Sequence, residues 1–157
     1  MWEALQHSTW ITFVSDTAWL YAAVSITHYF SLFVFVGTTA LLDLRILGVA
    51  DRQHTLSQVA DQFLPWNWIV LALALLSGFV LFATDAADYV PVGLFWLKLA
   101  VILLAILVTL VVNRGLRSWD ESPSAPSSAK AVALLSLLLW IGAILTAVDI
   151  SYISGVG

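Results

Sequence analysis

Cysteine is absent from the chain. That removes disulfides, iron–sulfur clusters, thiolate metal sites and thiol catalysis together. Charge is scarce as well. Only 10% of the 157 residues are Asp, Glu, Lys or Arg, against about 25% in an average soluble domain. So small a fraction cannot clothe the surface of a water-soluble globule. The net charge is −4 and no basic run is long enough to suggest nucleic acid. Methionine occurs once, at Met1. The opening "MWEALQHSTW" lacks a basic n-region and a cleavage site after a short apolar core, so a cleaved signal peptide is not expected. There is no Gly-rich phosphate loop, no His-Glu-x-x-His and no Ser–His–Asp set at one depth. No catalytic constellation is recognised.

What is present is apolar: 61% of the chain is hydrophobic. A membrane span needs about 20 mostly apolar residues. Four segments qualify, at about 18–47, 66–84, 94–112 and 131–153. The expected fold is an all-α membrane protein, a single domain over 1–157 built as a four-transmembrane-helix bundle. Two interfacial amphipathic helices are expected beside it. One is the N-terminal "WEALQHSTWITFVSD". The other lies in the loop "DRQHTLSQVADQFLP", where Leu56, Val59, Ala60, Phe63 and Leu64 recur at helical spacing. Pro65 sits where the second span can begin. "RSWDESPSAPSSA" reads as a loop.

The basic residues give an orientation. Arg45 and Arg52 follow span one, and Arg114, Arg117 and Lys130 flank the loop between spans three and four. The opposite side carries Glu3, Asp16, Asp85 and Asp88. The positive-inside bias places the arginine side in the cytoplasm and both termini outside. Trp2, Trp10, Trp19 and Trp96 fall near the outer boundary, and Trp66, Trp68 and Trp119 near the inner one; only Trp140 lies well inside.

An ionisable group inside a span is costly, so it should face the bundle and find company there. His28 comes about ten residues into span one, near mid-bilayer at about 1.5 Å per residue. Tyr21, Ser25 and His28 share a helical stripe continued by Leu32, Phe35 and Thr39. Neutral imidazole is a good metal ligand, so His28 is a candidate axial ligand to haem b or a related macrocycle, with Ser25 and Tyr21 beside it. Two other readings stand. His28 serves a proton relay or substrate handling, or it knits helices through a Ser, Thr or backbone oxygen. A bis-histidine haem within one chain is disfavoured. His7 and His54 fall in the outer and inner interfacial segments, each roughly 15 Å from His28 in depth. A haem here is therefore five-coordinate, shared across a homodimer, or completed by a partner.

Lys98 and Asp149 have matching depths in spans three and four and form a candidate intramembrane ion pair, unless each snorkels outward. Asp43 and Arg45, with Asn113 and Arg114, form a polar cluster at the inner end. Two residues apart on a helix, Asp43 and Arg45 do not face each other. Pairing across the bundle with the end of span three is the sharper reading, and an interface anchor the plainer one. Ser77 and Gly78 sit near the depth of His28 and are assigned to packing.

The stretches "ITHYFSLFVFVGTTALLDLRILGVADR", "LPWNWIVLALALLSGFVLFATDAADY" and "FWLKLAVILLAILVTLVVNRG" give the chain a resemblance to an uncharacterised family of small bacterial membrane proteins. That family looks distantly like the CopD copper-resistance membrane proteins. The resemblance covers most of the chain. It implies a four-helix membrane protein with a redox or metal connection. Members of the family often carry a histidine at the inner end of span three, where this chain has Asn113; the departure weakens a two-histidine site. Two functional classes follow. One is a redox membrane protein using His28, exchanging electrons with quinone or a periplasmic partner. The other is a non-catalytic accessory subunit of a larger membrane complex. Metal or small-solute transport is a weaker third.

Overall fold

The structure, a computed structural model, describes residues 1–49, 56–120 and 125–154; within these, the side chains of 56–57, 59–60, 62–63, 117, 120 and 148–154 are outside the description. Seven helices follow in order: α1 Trp2–Gln6, α2 Thr9–Asp16, α3 Ala18–Ile46, α4 Leu56–Thr84, α5 Ala86–Tyr89, α6 Gly93–Asp120 and α7 Ser127–Ser154. Four of them, α3, α4, α6 and α7, are long and apolar enough to cross a membrane.

The long helices form a ring. α3 packs most extensively on α4, and α6 on α7; lighter contacts of α3 with α7 and α4 with α6 close it. One end of the bundle, the terminal face, is capped by α1, α2 and α5. There Ile11 is fully buried, Gln6 Oε1 accepts the Ala87 N–H at 3.0 Å, and Trp2 meets Phe82 edge-on. Phe82 stacks on Phe95, and Phe95 on Tyr89. The other end, the loop face, holds the end of α3 and the starts of α4 and α7.

Side-chain distribution is that of a protein solvated by lipid. Large apolar residues such as Phe33, Leu76, Leu103 and Leu138 point outward. In water such a continuous apolar surface would drive aggregation. The interior is lined by small residues, among them Ala74, Ser77, Ala105, Ala133, Ser136 and Ala143. Lipid offers no hydrophobic drive for helix association, so close approach through small side chains supplies it instead. The middle of the bundle is filled by Phe35, Leu71, Ala105, Trp140 and Ala143, one or two from each helix. Trp140 lies inside as expected: its ring meets Phe35 at 4.9 Å and its Nε1–H donates to Thr109 Oγ1 at 3.0 Å. The loop face is filled by Ile46, Val112, Leu116, Ala129 and Ala133.

Two ends differ from expectation. Pro65 does not start a helix; α4 runs unbroken from Leu56 through it. Proline removes one backbone N–H there, a loss that neighbouring helices make tolerable in membrane proteins. The N-terminal interfacial segment is two helices rather than one, broken at His7–Ser8, where Ser8 Oγ turns back to donate to the Leu5 carbonyl at 2.6 Å. α3 ends in a Schellman motif. Gly48 has φ of 81°, its N–H bonds the Arg45 carbonyl, and the Val49 N–H reaches back to Leu44. Only glycine takes that conformation without strain, which explains the glycine closing "LDLRILG".

Candidate functional site: an anchored imidazole between two helices

His28 projects from α3 onto a face of α4 made by Ala74, Ser77 and Gly78, residues spaced three and four apart and so on one side of the helix. Its Nδ1 lies 2.9 Å from the Ala74 carbonyl oxygen. A carbonyl only accepts, so in the neutral ring Nδ1 carries the proton and Nε2 keeps its lone pair. Ser77 donates its hydroxyl to the Leu73 carbonyl at 2.6 Å and brings Oγ to 3.4 Å from His28 Nδ1. The ring also meets Tyr29 edge-on at 5.6 Å.

Gly78 is the floor of this cradle. A methyl group there would stand 2.7 Å from His28 Cε1 and 3.1 Å from Nδ1. The first distance is a clash with a ring that is itself held by its hydrogen bond. Packing was the expected role of Ser77 and Gly78, and what they pack is the imidazole. Lys98 is half-buried on α6.

The remaining candidates fall out as follows. Ser25 spends its hydroxyl on the Tyr21 carbonyl at 2.9 Å, within its own helix. Tyr21 is exposed, with Asp85 and Tyr29 as its electrostatic neighbours. Neither donates to His28; the polar contacts of the ring come from α4. The buried stripe of α3 runs through Ser31, Phe35, Thr39, Leu42, Asp43 and Ile46, so Ser31 takes the inward place expected for Leu32. The side chain of Asp149 and all of His54 lie outside the described residues, so the Lys98–Asp149 pairing does too. At the loop face Asp43 is wholly buried, Asn113 and Arg45 are half-buried and Arg114 is exposed. Among the described residues no hydrogen bond joins Asp43 to any of them. Arg114 points outward from the bundle and is not placed to make one.

Two polar contacts escaped the sequence reading. Asn67 on α4 bridges α3: its Oδ1 meets the Thr38 hydroxyl and its Nδ2 donates to Thr39 Oγ1 at 3.2 Å. Ser136 on α7 is fully buried beside Asp43. Asn67 had a signal, a lone amide inside an apolar span. Ser136 had almost none, because α7 is apolar all round and its inward face cannot be picked out by periodicity.

A family model spanning nearly the whole chain matches residues 5–153. The chain belongs to a family of unknown function, DUF6644. No curated protein and no solved structure matches the chain, so the further likeness to CopD-type proteins has no match behind it. Together, the family and the four apolar helices make this DUF6644 member a protein of the lipid bilayer.

Proposed function

We propose that this DUF6644 protein is a small redox protein of a bacterial inner membrane, in which Nε2 of His28 would hold haem b or a related macrocycle. The observation that carries the reading is the Nδ1–Ala74 carbonyl bond. It fixes the ring's rotation and tautomer, raises the basicity of the opposite nitrogen, and leaves that nitrogen for a metal. A macrocycle also suits a sparse donor set. Among the described residues no three His, Cys, Asp or Glu side chains gather around a point, and a macrocycle brings four nitrogens of its own and asks the protein for one. Such a group, when bound, takes up and releases one electron. The chain's part is to hold the imidazole with Ala74 and Gly78 and to keep water away with apolar helices. Quinone or a periplasmic protein is the electron partner in this reading. The basic residues clustered at the loop face support a cytoplasmic loop face and outward termini.

The test is an absorption spectrum of protein purified after expression with ample haem. A Soret band in the wild type that His28→Ala removes is the expected result. A colourless wild-type preparation overturns the reading. It would favour the accessory-subunit alternative, which has one observation of its own. Ile26, Tyr29, Phe30 and Phe33 form an outward seam on α3, each at least 67% exposed. A seam of large aromatic side chains suits a second copy or another membrane helix, and a co-purifying membrane partner lost on Phe33→Ala would support it.

A further inference from the structure

The loop-face half of the bundle holds a group that the His28 reading does not use. Asp43 is 0% exposed, and both of its carboxylate oxygens lack a hydrogen-bond partner among the described residues. The neighbour that acts on it is Ser136, reaching in from α7 and also 0% exposed, whose Oγ has no partner either. Asn113 adds a third such atom, its buried Nδ2. The three helices are in register here. Asn113 is one turn loopward of Thr109, and Ser136 one turn loopward of Trp140, the pair joined by the hydrogen bond across α6 and α7. Both therefore stand about 6 Å on the loop side of that bond.

A bare carboxylate in such a place is untenable. Burying an unpaired ion costs several kcal/mol even after relaxation. A protein meets that cost with donors, a cation or a proton. Among the described residues the nearest donor is the Ser136 hydroxyl, which stops short of a well-formed hydrogen bond, and Arg45, two residues on along the same helix, faces another side. Arg114, Lys130 and Asp61, the other charged side chains described at this end, are exposed. Asp43 and Ser136 offer hard oxygen atoms, which prefer hard cations. One carboxylate cancels one positive charge; among the described residues no three His, Cys, Asp or Glu side chains gather as a divalent ion would ask, and Asp61, the other carboxylate described at this end, is exposed.

We propose that Asp43, with Ser136, is a binding site for a single monovalent cation, Na⁺ or a proton, at the loop-face end of the bundle. The site is separate from His28 and stands whether or not the protein carries a macrocycle.

The experiment compares wild type and Asp43→Asn, purified in detergent, by two measurements. The first is the thermal unfolding midpoint in NaCl against choline chloride at matched ionic strength and neutral pH. The second is the infrared carbonyl band of a protonated carboxylic acid in Na⁺-free buffer. A midpoint that rises with Na⁺ in wild type and not in Asp43→Asn identifies Na⁺. A Na⁺-insensitive midpoint with an acid band that Asp43→Asn removes identifies the proton. An ionised carboxylate with no Na⁺ response, or an equal response in the variant, overturns the proposal. Ser136→Ala serves where Asp43→Asn does not fold. It should raise the Na⁺ concentration of half-effect at least tenfold or shift the acid band, and no change in either would equally overturn the site.

Discussion

The two polar centres of this bundle are built on opposite principles. Around His28 the ring nitrogen and the serine hydroxyl beside it both find backbone carbonyls on α4, and the ring drops into a space that only glycine leaves open. Around Asp43 the carboxylate and the Ser136 hydroxyl are buried and, among the described residues, without a hydrogen-bond partner. In lipid an unmatched polar group is at its most costly. The contrast separates a centre whose hydrogen bonds are made within the bundle from one that the described residues leave open.

The largest expected effect comes from closing the His28 cradle. Gly78→Val places branched carbon where even a methyl group would stand 2.7 Å from the ring. The imidazole must leave the Ala74 carbonyl or α3 and α4 must separate. Overpacking of this kind costs about 1–3 kcal/mol, and the ligand geometry is lost with it. SDS-unfolding curves should show the destabilisation, and any Soret band should weaken in step. A Gly78→Val protein as stable and as coloured as wild type would mean that His28 does not sit in this cradle.

The second prediction pits a satisfied polar group against an unsatisfied one. Asn67→Ala strands the Thr39 hydroxyl inside the α3–α4 contact, while Thr38 keeps its bond to the Val34 carbonyl, and should cost about 1–3 kcal/mol. Asp43→Asn in Na⁺-free buffer should cost nothing or stabilise, since the amide is neutral without a bound cation or proton. Both are single changes at buried polar sites on the same helix pair or its neighbour, so equal losses in the two would erase the distinction between the centres.

What could be read from the chain beforehand follows the same division. Hydropathy alone marks four spans, because about 20 apolar residues in a row leave little room for another answer. His28, Ser77 and Gly78 were placed at one depth by counting residues, and the structure brings them together. The carbonyl of Ala74 was invisible, since every residue has one and only packing decides which is used. Ser31 displaced Leu32 on the inward face because positions three and four beyond His28 both lie near its stripe, and the choice between them belongs to the neighbouring helix. Pro65 misled for a different reason. Rules for proline come from helices in water, where nothing re-satisfies the freed carbonyl, while a membrane bundle can carry the break inside a helix. Ser136 stayed hidden in a helix with no polar face to orient it.

The smallest effect sharpens the comparison from the terminal face, outside the spans. Burial pushes the Tyr89 phenol above its ordinary 10.0, and the carboxylates of Asp85 and Asp88 push the same way. The sign follows from linkage. A group whose folded-state value is raised favours the folded protein fully while it is protonated in both states, and that contribution disappears as pH climbs through the folded value. Wild type should therefore lose a little stability at alkaline pH that Tyr89→Phe retains, because phenylalanine has no proton to lose while keeping its ring against Phe95. Tyr89 is partly exposed, so solvent screens the effect and a shift of a few tenths of a kcal/mol is the scale expected. Unfolding midpoints of the two proteins should coincide at neutral pH and part above about pH 10. Parallel curves throughout would show that the aromatic cap gives Tyr89 no more shelter than water does, and would leave Gln6 and Trp2 as the contacts that hold α1 on the bundle.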